Sequence, residues 1–209
     1  MMPAVVLLSG GLDSVISMLL AREQEEIILA ITIDYGQRAS ANEIKASKNI
    51  CQSLNIKHKV IELPFFKDLD IELTANHNNI INNPWVPNRN SLFINVAACY
   101  ADSLEANSII VGFNQEEAHT FPDNSLEFVE AINNSLYYAT KNQVQVKSYI
   151  SHLDKVGIIQ VGNRLGLDFR TIWSCYYGGE KPCNSCSSCL RNKEAFVKAG
   201  VLYNEDFIY

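Results

Sequence analysis

Residues 9–14, Ser9-Gly10-Gly11-Leu12-Asp13-Ser14, stand between the apolar run Ala4-Val5-Val6-Leu7-Leu8 and a second run, Val15-Ile16-Ser17-Met18-Leu19-Leu20. The first run reads as a buried strand and the second as an amphipathic helix. A loop that leaves a buried strand and enters a helix sits at the carboxyl end of a parallel sheet, where ligands bind in such folds. Gly10 and Gly11 permit backbone conformations closed to other residues and leave room for a ligand. Successive backbone N–H groups then face one concavity at the positive end of a helix dipole, which is an anion site. No Lys follows the second glycine, so this is not a Walker A loop, and it is not the dinucleotide pattern GxGxxG either. Asp13 would repel a phosphate unless it caps the helix or reaches the anion through Mg²⁺. Ser9 and Ser14 add hydroxyl donors. The plainer alternative is a tight turn in which Asp13 or Ser14 only caps the helix.

The rest of the chain continues the alternation. Helix 14–22 is followed by strand 27–33, helix 40–54 and strand 59–63, which Pro64 stops. Repeated units of this length imply an α/β fold with a parallel sheet and helices on both faces. Residues 64–90, with His77-Asn78-Asn79, Asn82-Asn83-Pro84 and Pro87-Asn88, break any period and read as a lid or part of a site wall. A nearly all-apolar helix over 91–105 suggests burial beneath the sheet. Strand 108–111, helix 124–139, strand 144–150, a shorter helix over 154–164 and a last helix over 190–198 complete the reading. Cys51 and Cys99 fall on the apolar helices and read as inert core residues.

A chain of 209 residues is most simply one domain and can bury a sizeable core. Its 17 basic and 23 acidic residues argue against a large nucleic-acid footprint, which draws on clustered Lys and Arg. No signal-peptide pattern opens it and no apolar stretch approaches a membrane span, so a cytoplasmic protein without membrane association is expected.

Four of the six cysteines, Cys175, Cys183, Cys186 and Cys189, fall together in a turn-rich segment. In a reducing compartment such clustering points to metal. Four thiolates suit tetrahedral Zn²⁺ in a closed, structural site, so one zinc is expected to fold the tail and do no chemistry. Disulfides, a redox pair and an iron–sulfur cluster are the weaker readings.

SGGLDS resembles the SGGxDS signature of the PP-loop ATP pyrophosphatases, which cleave ATP to AMP and pyrophosphate and hold the departing pyrophosphate in this loop. Trp173-Ser174-Cys175-Tyr176-Tyr177-Gly178-Gly179-Glu180-Lys181-Pro182-Cys183, with Cys186, Cys189, Arg191 and Lys193, resembles the C-terminal signature of the 7-cyano-7-deazaguanine (preQ0) synthase family. Asp34-Tyr35-Gly36-Gln37-Arg38, Val86-Pro87-Asn88-Arg89-Asn90 and Leu165-Gly166-Leu167 extend the likeness over essentially the whole chain. The resemblance implies a Rossmann-like doubly wound sheet of the adenine nucleotide alpha hydrolase type over residues 1–172, with a zinc-binding segment, 173–209, packed on it. It implies an ATP-dependent ligase that joins 7-carboxy-7-deazaguanine and ammonia through adenylated intermediates, on the way to queuosine or archaeosine.

By position, the resemblance puts Leu8, Ser9, Gly10, Gly11, Leu12, Asp13, Ser14 and Asp34 on ATP, with Mg²⁺ offsetting the phosphate charge. Asp13, Ser14 and Arg38 become catalytic candidates. Arg89, Phe121, Asp123 and Glu127 become substrate-binding candidates, and the four clustered cysteines hold zinc. A homodimer is implied by the family alone. Residues 121–128 correspond to the family's YPDCRPEF stretch but carry Asn124 for Cys and Ser125 for Arg. The departure leaves carboxylate recognition unexplained, and a relative that stops at the amide or attaches a deazaguanine to a macromolecule is the alternative. A carboxylate can accept hydrogen bonds from a guanine-like edge; the plainer role for Asp123 is to cap the following helix. A tRNA-thiolating enzyme and a nucleic-acid-binding zinc ribbon fit the acidic balance less well.

Overall fold

The computed structural model describes residues 1–69, 71–74 and 80–202; His77, Asn78, Asn79 and the end of the tail from residue 203 lie outside them. Five strands, β1 (Met2–Leu7), β2 (Glu25–Asp34), β3 (His58–Glu62), β4 (Ser108–Ile110) and β5 (Gln145–Lys147), form one sheet in the order β3-β2-β1-β4-β5. Every neighbouring pair is parallel. The chain builds outward from β1 to β3, then returns to the other side of β1 for β4 and β5. The switch point therefore lies between β1 and β4, the position at which open α/β sheets form a ligand crevice.

Because β1 is covered on both faces, its residues divide by alternation. Val5 joins one apolar cluster with Ile31, Ile33, Ile109 and Val111. Ala4, Val6 and Leu8 join the opposite one with Ala30 and Ile110. The first cluster is closed by α3 (Arg89–Ser103) and α5 (Leu126–Ala139), through residues such as Ile94, Ala97 and Leu136. The second is closed by α1 (Leu12–Ala21), α2 (Ser40–Ser53), α6 (Lys155–Arg164) and α7 (Ser187–Ala199), through Val15, Ile50, Ile158 and Phe196. A short helix, α4 (Gln115–Thr120), follows β4. At the opposite end of the sheet, buried Glu25 accepts hydrogen bonds from Ser108, Lys147 and Tyr149. Burial would raise its pKa, but these donors outweigh it and hold the carboxyl below its ordinary value.

The doubly wound sheet agrees with the expectation. Strand 144–150 is shorter than read, and α4 was not anticipated. Cys51 is buried as expected, but Cys99 is exposed and its thiol donates to the Asn95 carbonyl. Helix α3 buries Asn90, Ile94, Ala97, Ala98 and Ala101, a stripe of mainly small residues, and Cys99 lies outside it.

Gly112, just beyond β4, lets that strand end pass against the start of α1. A Cβ there would stand 2.7 Å from the Ser14 nitrogen and 2.9 Å from the Ser14 Cα, both backbone atoms. Gly112→Ala should force the two segments apart and cost about 1–3 kcal/mol, measured by urea denaturation against the parent chain.

A phosphate loop braced by the cysteine tail

The end of β1 is clamped before the loop begins. The Leu8 N–H donates to the Ile31 carbonyl at 2.8 Å, and the Leu8 carbonyl accepts from Thr32 Oγ1 at 2.6 Å and Ser47 Oγ at 3.1 Å. Gly10 then takes φ +76°, and a Cβ on it would stand 2.8 Å from Ala46 Cβ and from the Glu43 carbonyl. No other residue type fits this turn without displacing α2. Ser14 folds the loop back on itself: its Oγ donates to the Gly11 carbonyl at 3.1 Å, accepts from the Ser9 N–H at 3.3 Å and lies 3.1 Å from Ser9 Oγ. Gly11 caps α1 without a side-chain bond, so the first amides of α1 are left for an anion.

Asp13 does not cap α1. Its Oδ2 is 2.6 Å from Nζ of Lys155, the first residue of α6, while its Oδ1 is buried with no hydrogen-bond partner. Lys155 is 5% exposed and also lies 3.9 Å from Glu117 Oε1. Burial would strip its charge, but Asp13 and Glu117 outweigh that and raise its pKa. Burial and the Asp13 charge push the Glu117 carboxyl up, against Lys155 and Arg191.

These groups line a cavity of about 280 Å³ at the carboxyl end of the sheet. It is also lined by Arg89, whose Nη1 is 3.5 Å from the Tyr35 hydroxyl and whose Nε donates to Asn90 Oδ1 at 3.4 Å. Asp123 is pushed up by burial, with Arg89 partly offsetting it. Glu43, buried beneath the loop and accepting from Gln37 Nε2 at 2.8 Å, is pushed up to about 7 by that burial. Trp85 and Phe121, with rings at an interplanar angle of 13° and centroids 6.2 Å apart, also line the cavity. The segment read as a site wall contributes Leu73, Pro84, Trp85, Val86 and Arg89.

The expected site residues divide accordingly. Leu8, Ser9, Gly11, Leu12, Asp13, Ser14, Arg89, Phe121 and Asp123 line the cavity. Gly10 shapes the loop from behind. Asp34 does not line it; its Oδ1 accepts from the Gly36 N–H at 2.9 Å. Arg38 is also outside the lining and its guanidinium lies 5.5 Å from the Tyr177 ring centroid. Glu127 is exposed in the first turn of α5. Ser125, not Asp123, caps that helix, its Oγ accepting from the Phe128 N–H at 3.1 Å. Lys155, Glu117 and Arg191 were given no role from sequence. Asn114-x-x-Glu117 carried a signal for α4, since an Asn followed three residues later by Glu marks a helix start; the Asn114 side chain accepts from the Glu117 N–H at 2.9 Å.

The four cysteine sulfurs lie within 4.8 Å of one another, with Cys183 and Cys189 at 3.9 Å. Sulfurs about 2.3 Å from a tetrahedral Zn²⁺ are roughly 3.8 Å apart, so the donor set fits such an ion. Backbone N–H groups of Tyr177 and Cys183 donate to Cys175 Sγ, and that of Cys186 to Cys183 Sγ, which favours thiolates. The segment that carries the cluster is bonded to the loop at residues 9–14. The Trp173 N–H donates to the Gly10 carbonyl at 2.8 Å, and Trp173 Nε1 donates to the Cys175 carbonyl at 2.9 Å. Helix α7, capped by the Cys186 sulfur, brings Ser188, Arg191 and Asn192 into the cavity wall.

Comparison with known proteins adds the following. Residues 3–200 match the family described as queuosine biosynthesis protein QueC. A 7-cyano-7-deazaguanine synthase of Bdellovibrio bacteriovorus is 45% identical, covering 94% of this chain and 94% of its own. One of Carboxydothermus hydrogenoformans is 47% identical, covering 92% of this chain and 97% of its own. A 4-thiouridine synthetase, solved as an RNA complex with bound ATP, superposes with a TM-score of 0.59 at 18% identity, covering 95% of this chain and 50% of that one. That likeness concerns the fold alone.

Two outcomes follow from this geometry. Lys155→Met leaves Asp13 without its cation and should cost about 3 kcal/mol, while the double variant Asp13→Asn with Lys155→Met should lose clearly less; chemical denaturation of the set measures the coupling. Cys186→Ser should lower whatever metal the protein binds, read by elemental analysis, and the melting temperature together.

Proposed function

The chain belongs to the QueC family and is an ATP-dependent carbon–nitrogen ligase that makes 7-cyano-7-deazaguanine for queuosine biosynthesis; from that premise we propose which residues carry each part of the reaction. A carboxylate is a poor electrophile, so its oxygen is first adenylated by attack on the α-phosphorus of ATP. Ammonia then displaces AMP to give the amide. A second adenylation, on the amide oxygen, and loss of that oxygen as AMP give the nitrile.

The loop amides at Gly11 to Ser14, with the Ser9 and Ser14 hydroxyls, hold the β and γ phosphates at the start of α1. Lys155, already charged and held at the loop, adds the cation that a Walker A loop carries within itself. Mg²⁺ accompanying ATP would be met by Asp13, whose free Oδ1 suits it, and would offset phosphate charge. Arg89 and Asp123, which are electrostatically paired, line the cavity with Asn124 and Phe121, and there the exocyclic groups of a guanine-like ring would find acceptors and donors and its face an aromatic partner. Asp34, Arg38 and Glu127 are removed from this assignment. Ammonia as nitrogen donor and a homodimer rest on family kinship alone.

Zinc is the metal we assign to the cysteines; it organises the tail and supplies no reacting position. Among the described residues no helix is long and apolar enough to cross a membrane, and reduced, clustered thiols suit a cytoplasmic setting.

The observation that carries this reading is that a single cavity is lined both by the anion loop and by Asp123, Asn124 and the Trp85–Phe121 pair. Mass spectrometry of a reaction holding protein, Mg-ATP, ammonium and 7-carboxy-7-deazaguanine should detect the nitrile with AMP. Asp13→Ala should abolish AMP release while retaining the fold by circular dichroism. Amide as the only product would move the chain to a relative that stops one step earlier.

A further inference from the structure

Among the described residues three cations line the cavity, Lys155, Arg89 and Arg191, and their engagements differ. Lys155 is bound to Asp13 at 2.6 Å. The Arg89 guanidinium is shared between the Tyr35 hydroxyl and Asn90 Oδ1 and faces Asp123. Arg191 touches the Tyr176 hydroxyl through Nη2 at 3.3 Å and lies 3.9 Å from Glu117 Oε1, but its Nε is buried with no acceptor. A buried guanidinium N–H without an acceptor costs free energy that an incoming anion recovers.

Its position matches one particular anion. Arg191 belongs to α7, which is fastened beside the phosphate loop: Ser188 Oγ donates to the Ser174 carbonyl at 2.6 Å, and Ser174 follows the residue bound to Gly10. The wall that carries Arg191 is therefore the loop side of the cavity, where an acceptor oxygen must lie to reach the α-phosphorus. The segment 121–125 supplies no cation for the acid, because Asn124 is neutral and Ser125 is spent capping α5, and Arg89 beside it is already engaged by Tyr35, Asn90 and the Asp123 charge. We propose that Arg191 binds the carboxylate of the acid substrate and aims one of its oxygens at ATP. The planar fork of an arginine pairs with both oxygens of a carboxylate and so fixes orientation as well as charge. This assignment rests on the acid-to-nitrile reading above.

The two half-reactions separate the roles, since only the first begins from a carboxylate; the second begins from 7-amido-7-deazaguanine, which has none. Arg191→Met should raise the KM for 7-carboxy-7-deazaguanine by roughly 10- to 100-fold, the range of a charge-assisted hydrogen bond. AMP formation from the amide should stay within about threefold of the parent, with the KM for ATP and the zinc content unchanged. Arg191→Lys, which keeps the charge and loses the fork, should show a smaller loss that is again confined to the acid. Equal losses with acid and amide, or a raised KM for ATP, in either variant would overturn the assignment and make Arg191 a nucleotide or structural residue. A parent protein that forms AMP with neither substrate would overturn the functional reading itself, and this assignment with it.

Discussion

One backbone hydrogen bond, from the Trp173 N–H to the Gly10 carbonyl, joins the two parts of the molecule that make the site. Gly10 stands in a left-handed turn at which the loop leaves the sheet, and Trp173 opens the segment that carries the four cysteines. The Trp173 indole is 2% exposed and donates to the carbonyl of the first of those cysteines, so loop and cysteine cluster share one buried side chain. The span between Trp173 and α7 holds no regular helix or strand and must be fixed by cross-links. A metal held by the cysteines would thus have a structural duty with a chemical consequence: it would fix where Ser174, Tyr176 and Arg191 stand relative to the loop.

The charges in the cavity make sense as a set awaiting an anion. Asp13, Glu43, Glu117 and Asp123 line one cavity together with Lys155, Arg89 and Arg191. Burial raises the pKa of Glu43, Glu117 and Asp123, whereas the cations keep their charge against burial, Lys155 through Asp13 and Glu117, Arg89 first through Tyr35 and then Asp123, and Arg191 first through Tyr176 and then Glu117. Among the described residues, Asp13, Ser174 and Arg191 line the cavity and each keeps one buried polar atom without a partner, Oδ1, Oγ and Nε respectively.

How much of this was legible in the sequence depended on whether the signal was local. Parallel strands covered on both faces appear as continuous apolar runs, so β1, β2 and the loop between β1 and α1 stood out, and the cysteine cluster was a spacing pattern. The Asp13–Lys155 pair spans 142 residues and leaves no local trace. Asp34 shows the converse failure. Its neighbours Ile33 and Tyr35 line the cavity, and strand alternation turns the residue between them to the other face. Glu127 had suitable chemistry, but it lies on the exposed first turn of α5, where a carboxylate is favoured by the helix dipole without any ligand. Cys99 is exposed although its helix is rich in apolar residues, because α3 buries only a stripe of mainly small ones.

The central claim is that the loop grips the β and γ phosphates while the α-phosphorus is passed to the acid. Transfer of oxygen tests it most directly. With both carboxylate oxygens of 7-carboxy-7-deazaguanine labelled as ¹⁸O, each of the two AMP molecules formed on the way to nitrile should carry one labelled oxygen in its phosphate, and pyrophosphate should carry none. Label in pyrophosphate or inorganic phosphate, with unlabelled AMP, would mean that attack falls on another phosphorus and would contradict the assignment of the loop.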